Sequence, residues 1–349
     1  MKIIDISGFG HSGKTAVTNL LSEVKGLDVH YPTFEFGLLR FPDGLIDLRR
    51  NILTNWSPIK SDIALKRFKK LSNNLSESYS KNINSNFNLL TENYIDSLRF
   101  TTHQVHWFDG LYFTNNITLI NVIKFAVTKL GLKTVFKFFI GLISKDTNQK
   151  KDLVNLVDSK NFDSKTKIYL ENLLFSKSPI VATNNAFEPF EPSESMSFFS
   201  ESYCVIVDRD PRDIYLSSIN HKSSFVPDFE KNNKHNSFNF MQNQKIDFLG
   251  SKNIENFIWR QKQLRENIKI NKDNLKVIRI NYEDLIYNYE DTVDYLFKKL
   301  NIDKKNHINK FKEFDPELSK INAGIHYDYK SNSNVLKIEK ELSEYLYIK

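Results

Sequence analysis

Residues 2–21 read KIIDISGFGHSGKTAVTNLL, and this stretch decides the fold. Ile3, Ile4 and Ile6 form a short β-branched run closed by glycine, which predicts a buried strand, while Ala16, Val17, Leu20 and Leu21 recur at helical spacing. Between them lies Gly8-Phe9-Gly10-His11-Ser12-Gly13-Lys14-Thr15, two glycines with four residues between them, then a lysine and a hydroxyl. Glycines in such a loop remove the Cβ atoms that would hold an anion off the backbone, and they permit φ > 0. The helix that follows turns its unpaired N–H groups and positive dipole end toward the guest. Strand, loop and helix together point to a site for a nucleotide-like phosphoanhydride.

The composition sets the bounds around this site. With 349 residues and 40% hydrophobic content the chain can bury a large core, as one big domain or a core with a sizeable insertion. Phe (28) and Tyr (15) are abundant and Gly (11) and Pro (9) scarce, which favours helices and a compact interior over repeats or linkers. The net charge of +7 and pI near 9.1 suit an anionic ligand, and no dense Lys/Arg run accompanies them, so nucleic acid is not an expected partner. Cys204 is the single cysteine, which excludes an intrachain disulfide. A core strand starting at residue 3 leaves no room for a cleavable leader, so the cytoplasm is the expected compartment. No apolar run long enough to span a membrane is visible.

Downstream of the first helix, a turn at Lys25-Gly26 leads to a short second strand through Val29, and Tyr31 to Phe36 follows. Glu35 stands there between two aromatics, near where a parallel sheet collects its ligands; on position alone it reads equally as a solvated loop carboxylate. Residues 45–178 are mostly helical in pattern and too long for a connection, so an inserted helical subdomain resting on the sheet is expected. Within it, 118–144 is apolar with a stripe at Lys124, Lys129, Lys133 and Lys137. Such a helix either lies peripherally on an anionic membrane or shows its solvated side to water. His103 and His106 can face one way on a helix, for acid/base work or for packing beside Trp107, but no cysteine or adjacent carboxylate completes a metal set.

Strand signals return at 179–183 and 203–207, the second opening into Asp208-Arg209-Asp210-Pro211-Arg212-Asp213-Ile214-Tyr215-Leu216-Ser217. Asp210 reads as N-cap, Pro211 as the first helical residue and Asp213 as a capping-box partner. Arg209 at the strand's end and Ser217 two turns into the helix can converge on one anion, as an arginine fork plus a hydroxyl; a surface ion-pair cluster is the other reading. Residues 226–253 are polar and read as an exposed loop or lid. A helix over 254–270, a strand over 276–280, the segment Asn281-Tyr282-Glu283-Asp284-Leu285, a helix over 290–300 with a stripe at Val293, Leu296, Phe297 and Leu300, a glycine turn at 323–324 and a last helix near 336–346 complete the chain. The expected fold is α/β, a phosphate-loop type of three layers with a central parallel sheet and a large helical insertion, in one domain over 1–349.

The phosphate loop, RDPRDIYLS at a later strand-to-helix junction and RINYEDL before an amphipathic helix, in that order, resemble the sulfotransferases that use 3′-phosphoadenosine 5′-phosphosulfate (PAPS) and release adenosine 3′,5′-bisphosphate (PAP). The resemblance covers roughly 1–45 and 179–300. It implies that the backbone and hydroxyls of Gly10, His11, Ser12, Gly13, Lys14, Thr15 and Ala16 cradle the 5′-phosphosulfate, that Arg209 and Ser217 hold the 3′-phosphate, and that Tyr282 lies near the adenine, with no metal required. Two departures matter. Aligning Ser12-Gly13 with the family's loop puts His11 where its cation stands and Lys14 where a hydroxyl stands; Lys14 is preferred on loop geometry, with His11 in support. The histidine of the cytosolic branch is missing, since the corresponding segment is Thr183-Asn184-Asn185. The glycosaminoglycan-modifying branch uses a glutamate shortly after the second strand, which makes Glu35 the preferred base, with His103 or His106 as the fallback. The implied acceptor is a sugar hydroxyl, of a bacterial surface polysaccharide or a glycolipid. A phosphate-loop kinase or NTPase using Mg-ATP, with Thr15 and Asp208 on the metal, is the rival, and a nucleotide-binding module without turnover is the non-enzymatic one.

Overall fold

The computed structural model describes residues 1–29, 34–104, 153–220, 253–269 and 274–348. Strand β1 (Lys2–Gly8) leads into helix α1 (Lys14–Ser22) and strand β2 (Leu27–Val29). Helices α2 (Leu45–Arg49), α3 (Pro58–Asn82) and α4 (Phe87–Leu98) follow, then strands β3 (Arg99–Gln104) and β4 (Leu153–Val157) and helix α5 (Phe162–Leu173). The second half runs through β5 (Ile180–Asn184), α6 (Pro192–Met196), β6 (Glu201–Asp208), α7 (Pro211–Asn220), α8 (Ile254–Lys269) and β7 (Val277–Asn281). It ends with α9 (Tyr282–Tyr287), α10 (Tyr289–Leu300), α11 (Pro316–Ser319) and α12 (Ser333–Glu341).

Five strands form one parallel sheet in the order β2-β5-β1-β6-β7. β1 is central, and its alternation sends Ile4 and Ile6 to one face and Ile3 to the other. Ile4 and Ile6 pack with Val17, Leu20 and Leu21 of α1 and with Val293, Leu296, Phe297 and Leu300 of α10, the stripe read from the sequence. Ile3, Val181, Cys204 and Ile206 face the core built from α2 to α5, α7, α8 and α12. Helices on both faces of a parallel sheet make the three-layer α/β fold expected from the sequence. Burying each large aliphatic or aromatic side chain there contributes about 1.5–3 kcal/mol.

β3 and β4 form a separate antiparallel pair, inside the stretch whose pattern reads as mostly helical. The pair is docked by Asp62, whose Oδ1 accepts from the Asn155 backbone and side-chain amides at 2.8 and 2.7 Å. α4 and α5 meet through the stacked rings of Tyr94 and Tyr169, 4.5 Å apart. His103 pairs in register with Val154, but its side chain, His106, the lysine-striped 118–144 and the expected lid at 226–253, save Asn253, lie outside the described residues. Among the described residues no helix is long and apolar enough to cross a membrane.

Candidate functional site

Parallel strands end together, so the carboxyl edges of β5, β1 and β6 bring three chain segments to one place. Gly8 closes β1 opposite Val207, and its backbone, at φ 154°, leaves no room for a side chain: a Cβ there would stand 2.4 Å from the Val207 carbonyl. Gly13 caps α1 in the left-handed region, φ 91°. A Cβ on Gly13 would stand 2.3 Å from Tyr282 Cδ2, so the tyrosine ring lies flush on the loop. His11 is also left-handed, at φ 61°, an uncommon conformation for a residue with a side chain. The loop thus adopts the strained, side-chain-poor turn that its glycines foretell. Ser12 is buried with no partner for its Oγ, and Thr15 is exposed.

Lys14 bends its Nζ back over the loop and donates to the Phe9 carbonyl at 2.8 Å. Burial pulls its pKa down, the charge of Glu35 opposes that, and Arg40 adds to it. These three side chains therefore share one electrostatic neighbourhood. Glu35 reaches it because its segment returns beside β5: the Phe36 N–H donates to the Asn184 carbonyl at 2.8 Å, and Glu35 bridges to Asn184 in parallel register. Arg40 holds Glu35 Oε2 at 3.3 Å and gives its Nε–H to the Asn185 carbonyl at 2.7 Å.

The turn that carries Asn185 is fastened from beneath. Asp5, fully buried in β1, accepts from Thr183 Oγ1 (2.8 Å), Ala186 N (2.7 Å), Phe187 N (3.0 Å) and Ser7 Oγ (2.5 Å). Burial pushes its carboxyl pKa up, and these four donors pull it back. The bonds hold Asn185 in a left-handed kink, φ 59°, with its N–H on the Ile6 carbonyl at 2.8 Å and its buried Oδ1 without a partner.

On the β6 side, Arg209 lies directly against the phosphate loop. Its Nη1 donates to the His11 carbonyl at 2.8 Å, its Nη2 to the Asn322 carbonyl, and its guanidinium lies 5.1 Å from the centre of the Tyr282 ring. The two motifs, 198 residues apart in sequence, thus meet. Asp210 caps α7 as expected, accepting from Arg212 N at 2.8 Å. Asp213 does not complete a capping box: Glu283 Oε1 takes the Asp210 N–H at 2.9 Å instead. Burial, opposed by that bond and reinforced by Asp210 and Asp213, pushes the Glu283 pKa up to about 7. Asp213 turns to the C-terminal segment, accepting from Gly324 N (2.6 Å), His326 N (3.0 Å) and His326 Nδ1 (2.7 Å). Burial alone would raise its pKa, but the bonds from His326 hold it below the usual carboxylate range. Ser217 is buried one turn further along α7.

Sequence reasoning missed Arg265, which is buried and joins both halves of this wall. Its Nη2 donates to Asp208 Oδ1 at 2.7 Å and to the Arg209 carbonyl at 3.0 Å, and its guanidinium lies 4.9 Å from the Phe9 ring. It also missed Asp5, whose signal was present: a charged residue at an inward position of an isoleucine run demands a built set of donors. Arg40 and His326 left no local signal. Ser12 Oγ, Asn185 Oδ1, Arg209 Nε, Glu283 Oε2 and His326 Nε2 are all buried without a hydrogen-bond partner, and all belong to these segments. Buried polar groups rarely stay unmet, so their gathering around one edge of the sheet marks a place for a polar ligand. Among the described residues no group of three His, Cys, Asp or Glu is placed to hold a metal ion.

No family model and no curated protein sequence matches the chain. Among solved structures, the sulfotransferase domain from the curacin biosynthetic pathway aligns over 98% of this chain and 96% of its own, with a TM-score of 0.42 and 14% identity. The sulfotransferase domain from the Synechococcus PCC 7002 olefin synthase aligns over 98% and 88%, with a TM-score of 0.41 and 11% identity. Sulfotransferase STF1 from Mycobacterium tuberculosis aligns over 93% and 76%, with a TM-score of 0.36 and 10% identity. Likeness this loose carries no functional conclusion by itself.

Proposed function

We propose that the chain is a sulfotransferase that moves a sulfuryl group from PAPS to a hydroxyl, the acceptor being a carbohydrate such as a surface polysaccharide or glycolipid. The observation that carries this reading is the hydrogen bond from Arg209 Nη1 to the His11 carbonyl. Two segments read as anion-binding and far apart in sequence are neighbours, which supports a ligand with a phosphate at each end. The residues fit such a donor: a loop cleared of side chains at Gly8 and Gly13, the unmet Ser12 Oγ beneath it, and the unmet Arg209 Nε beside it.

Residues 10–16 would hold the 5′ end, Arg209 and Ser217 the 3′-phosphate, and Tyr282 the wall between them. The donor supplies an activated sulfuryl group on a phosphate leaving group. Lys14, with His11 in support, holds the negative charge that grows on that phosphate oxygen. Its present partner, the Phe9 carbonyl, is one that an anion displaces readily. Glu35 takes the proton from the acceptor hydroxyl, and Arg40 keeps its carboxylate oriented. A metal-dependent ATP user would need the Asp208 carboxylate for its cation, yet Oδ1 of that group is engaged by Arg265 and by the Arg209 N–H, each at 2.7 Å.

Isothermal titration separates the two. The sulfotransferase reading expects tight binding of adenosine 3′,5′-bisphosphate without magnesium, and ATP binding that needs magnesium would replace it with the rival. Incubation with PAPS and a panel of glycans, read by mass spectrometry for the gain of one SO₃, identifies the acceptor.

A further inference from the structure

The segment that carries Glu35 hangs on two consecutive carbonyls at the end of β5. The Asn184 carbonyl takes the N–H of Phe36, the residue after Glu35, at 2.8 Å. The Asn185 carbonyl takes Arg40 Nε–H at 2.7 Å, and Arg40 Nη2 stands 3.3 Å from Glu35 Oε2. The first bond fixes the backbone beside Glu35, and the second fixes the partner of its carboxylate. Both depend on where residues 184 and 185 direct their carbonyls.

Asn185 stands at φ 59°, outside the extended range of the strand it follows, so its carbonyl points where the surrounding turn is held. Asp5, on the neighbouring strand β1, does the holding. Its Oδ1 accepts from Thr183 Oγ1 at 2.8 Å and Ala186 N at 2.7 Å, and its Oδ2 from Phe187 N at 3.0 Å. The residues on both sides of the 184–185 pair are thus pinned to one carboxylate. Packing alone does not ask for it, since Ile3, on the same face of β1, fills the core as an aliphatic side chain. A fully buried carboxylate is costly unless donors surround it, and what this one secures is a single geometry for the turn.

We propose that Asp5 is a positioning residue for proton removal: through the turn at 183–187 it fixes Arg40 and the Phe36 backbone, and so aims the Glu35 carboxylate. Asp5 touches no reactant. The acceptor proton passes to Glu35 as the acceptor oxygen bonds to sulfur and the bond from sulfur to the phosphate oxygen breaks. The inference rests on Glu35 as base in the reading above and adds to it a residue buried beneath the site.

Asp5→Asn keeps the shape of the side chain but turns its NH₂ toward either the Ala186 or the Phe187 N–H, setting donor against donor. The first measurement is amide hydrogen exchange on the full chain, which needs no substrate. The Phe36 N–H is expected to exchange about tenfold faster or more, a larger factor than for the amides of α1. The second is turnover with PAPS and the glycan that gains SO₃. Here kcat is expected to fall about ten- to hundredfold, as for a misplaced catalytic group. In a Glu35→Gln background the same change leaves the residual turnover as it was, because the aim of a lost base no longer matters, while the drop in thermal midpoint is equal in both backgrounds.

The charge of Asp5 also acts on Lys14, and Thr183→Val separates the two effects by keeping the carboxylate and removing one donor. It is expected to lower kcat about three- to tenfold with bisphosphate affinity kept, and Thr183→Ser restores it. The same variant carries the test if Asp5→Asn does not fold. Phe36 exchange that rises no more than that of α1 overturns the inference whatever the reaction is, as does an equal loss of turnover with and without Glu35, the mark of a purely structural residue. A Glu35→Gln chain that turns over at the full rate removes the base and this inference with it, yet leaves the faster Phe36 exchange in place, so the two failures are told apart.

Discussion

The two walls of the site are built differently. On the wall proposed for the donor, Ser12, Arg209 and Ser217 are buried, and their neighbours come from β1, α7, α9 and the C-terminal segment. On the wall proposed for the acceptor, Glu35 and Arg40 form an ion pair whose side chains are 32% and 21% exposed, and one backbone carbonyl anchors the arginine. A deep wall with many partners suits a ligand that is always the same, and it makes binding and stability hard to separate. A shallow wall with few partners suits chemistry and a bulky acceptor, and its residues can change with little cost to the fold.

That contrast breaks most sharply at Glu35. Glu35→Gln is expected to lower turnover about a hundred- to ten-thousandfold, as for a lost general base, with bisphosphate affinity kept. Because exposed ion pairs contribute about 0–1 kcal/mol, its unfolding free energy should shift by no more than that; a large loss of stability would erase the distinction between the walls. Arg209→Ala is expected next in size, weakening bisphosphate binding roughly a hundredfold in titration calorimetry and also lowering the thermal midpoint, since the His11 and Asn322 carbonyls lose their donor. Gly13→Ala tests the loop itself. A side chain at φ 91° pressed into the Tyr282 ring should cost about 1–3 kcal/mol in denaturant unfolding and weaken the bisphosphate with it.

The smallest expected effect sharpens the donor wall by pH. Glu283 has a folded pKa raised to about 7, above its ordinary value, so the folded chain holds that proton more tightly than the unfolded one. The stability this provides is fully present below the unfolded pKa and is lost as pH rises through about 7. Glu283→Gln, which still accepts the Asp210 N–H, should therefore raise the thermal midpoint by a few degrees at pH 8 and leave it nearly unchanged at pH 4. An equal shift at both pH values would place the ionisation of Glu283 elsewhere.

Legibility followed the same divide. β1, the loop and α1 were readable because each is dictated by residues next to one another: a β-branched run, glycines at fixed offsets, then helical spacing. The Asp210 cap and the buried face of α10 were readable for the same reason. The β3–β4 pair was not, since Arg99 finds Val157 only across a long stretch of intervening chain, and short strands of Thr, His and Val carry no period that separates them from a helix end. The capping-box rule failed at Asp213 because it knows nothing of Glu283, 73 residues from Asp210, which took the same N–H. Glu35 was readable as a candidate and Arg40, its partner, was not: an arginine five residues away becomes its neighbour only once the segment folds back along β5.

The C-terminal segment has a consequence for biosynthesis. The loop at residues 8–15 is synthesised before Arg209, and Arg209 before Asn322, Gly324 and His326. A nascent chain therefore holds the loop and Arg209 before it holds the Asn322 carbonyl that Arg209 donates to, or the N–H groups of residues 324 and 326 that Asp213 accepts, so this side of the wall closes only after residues 322–326 emerge.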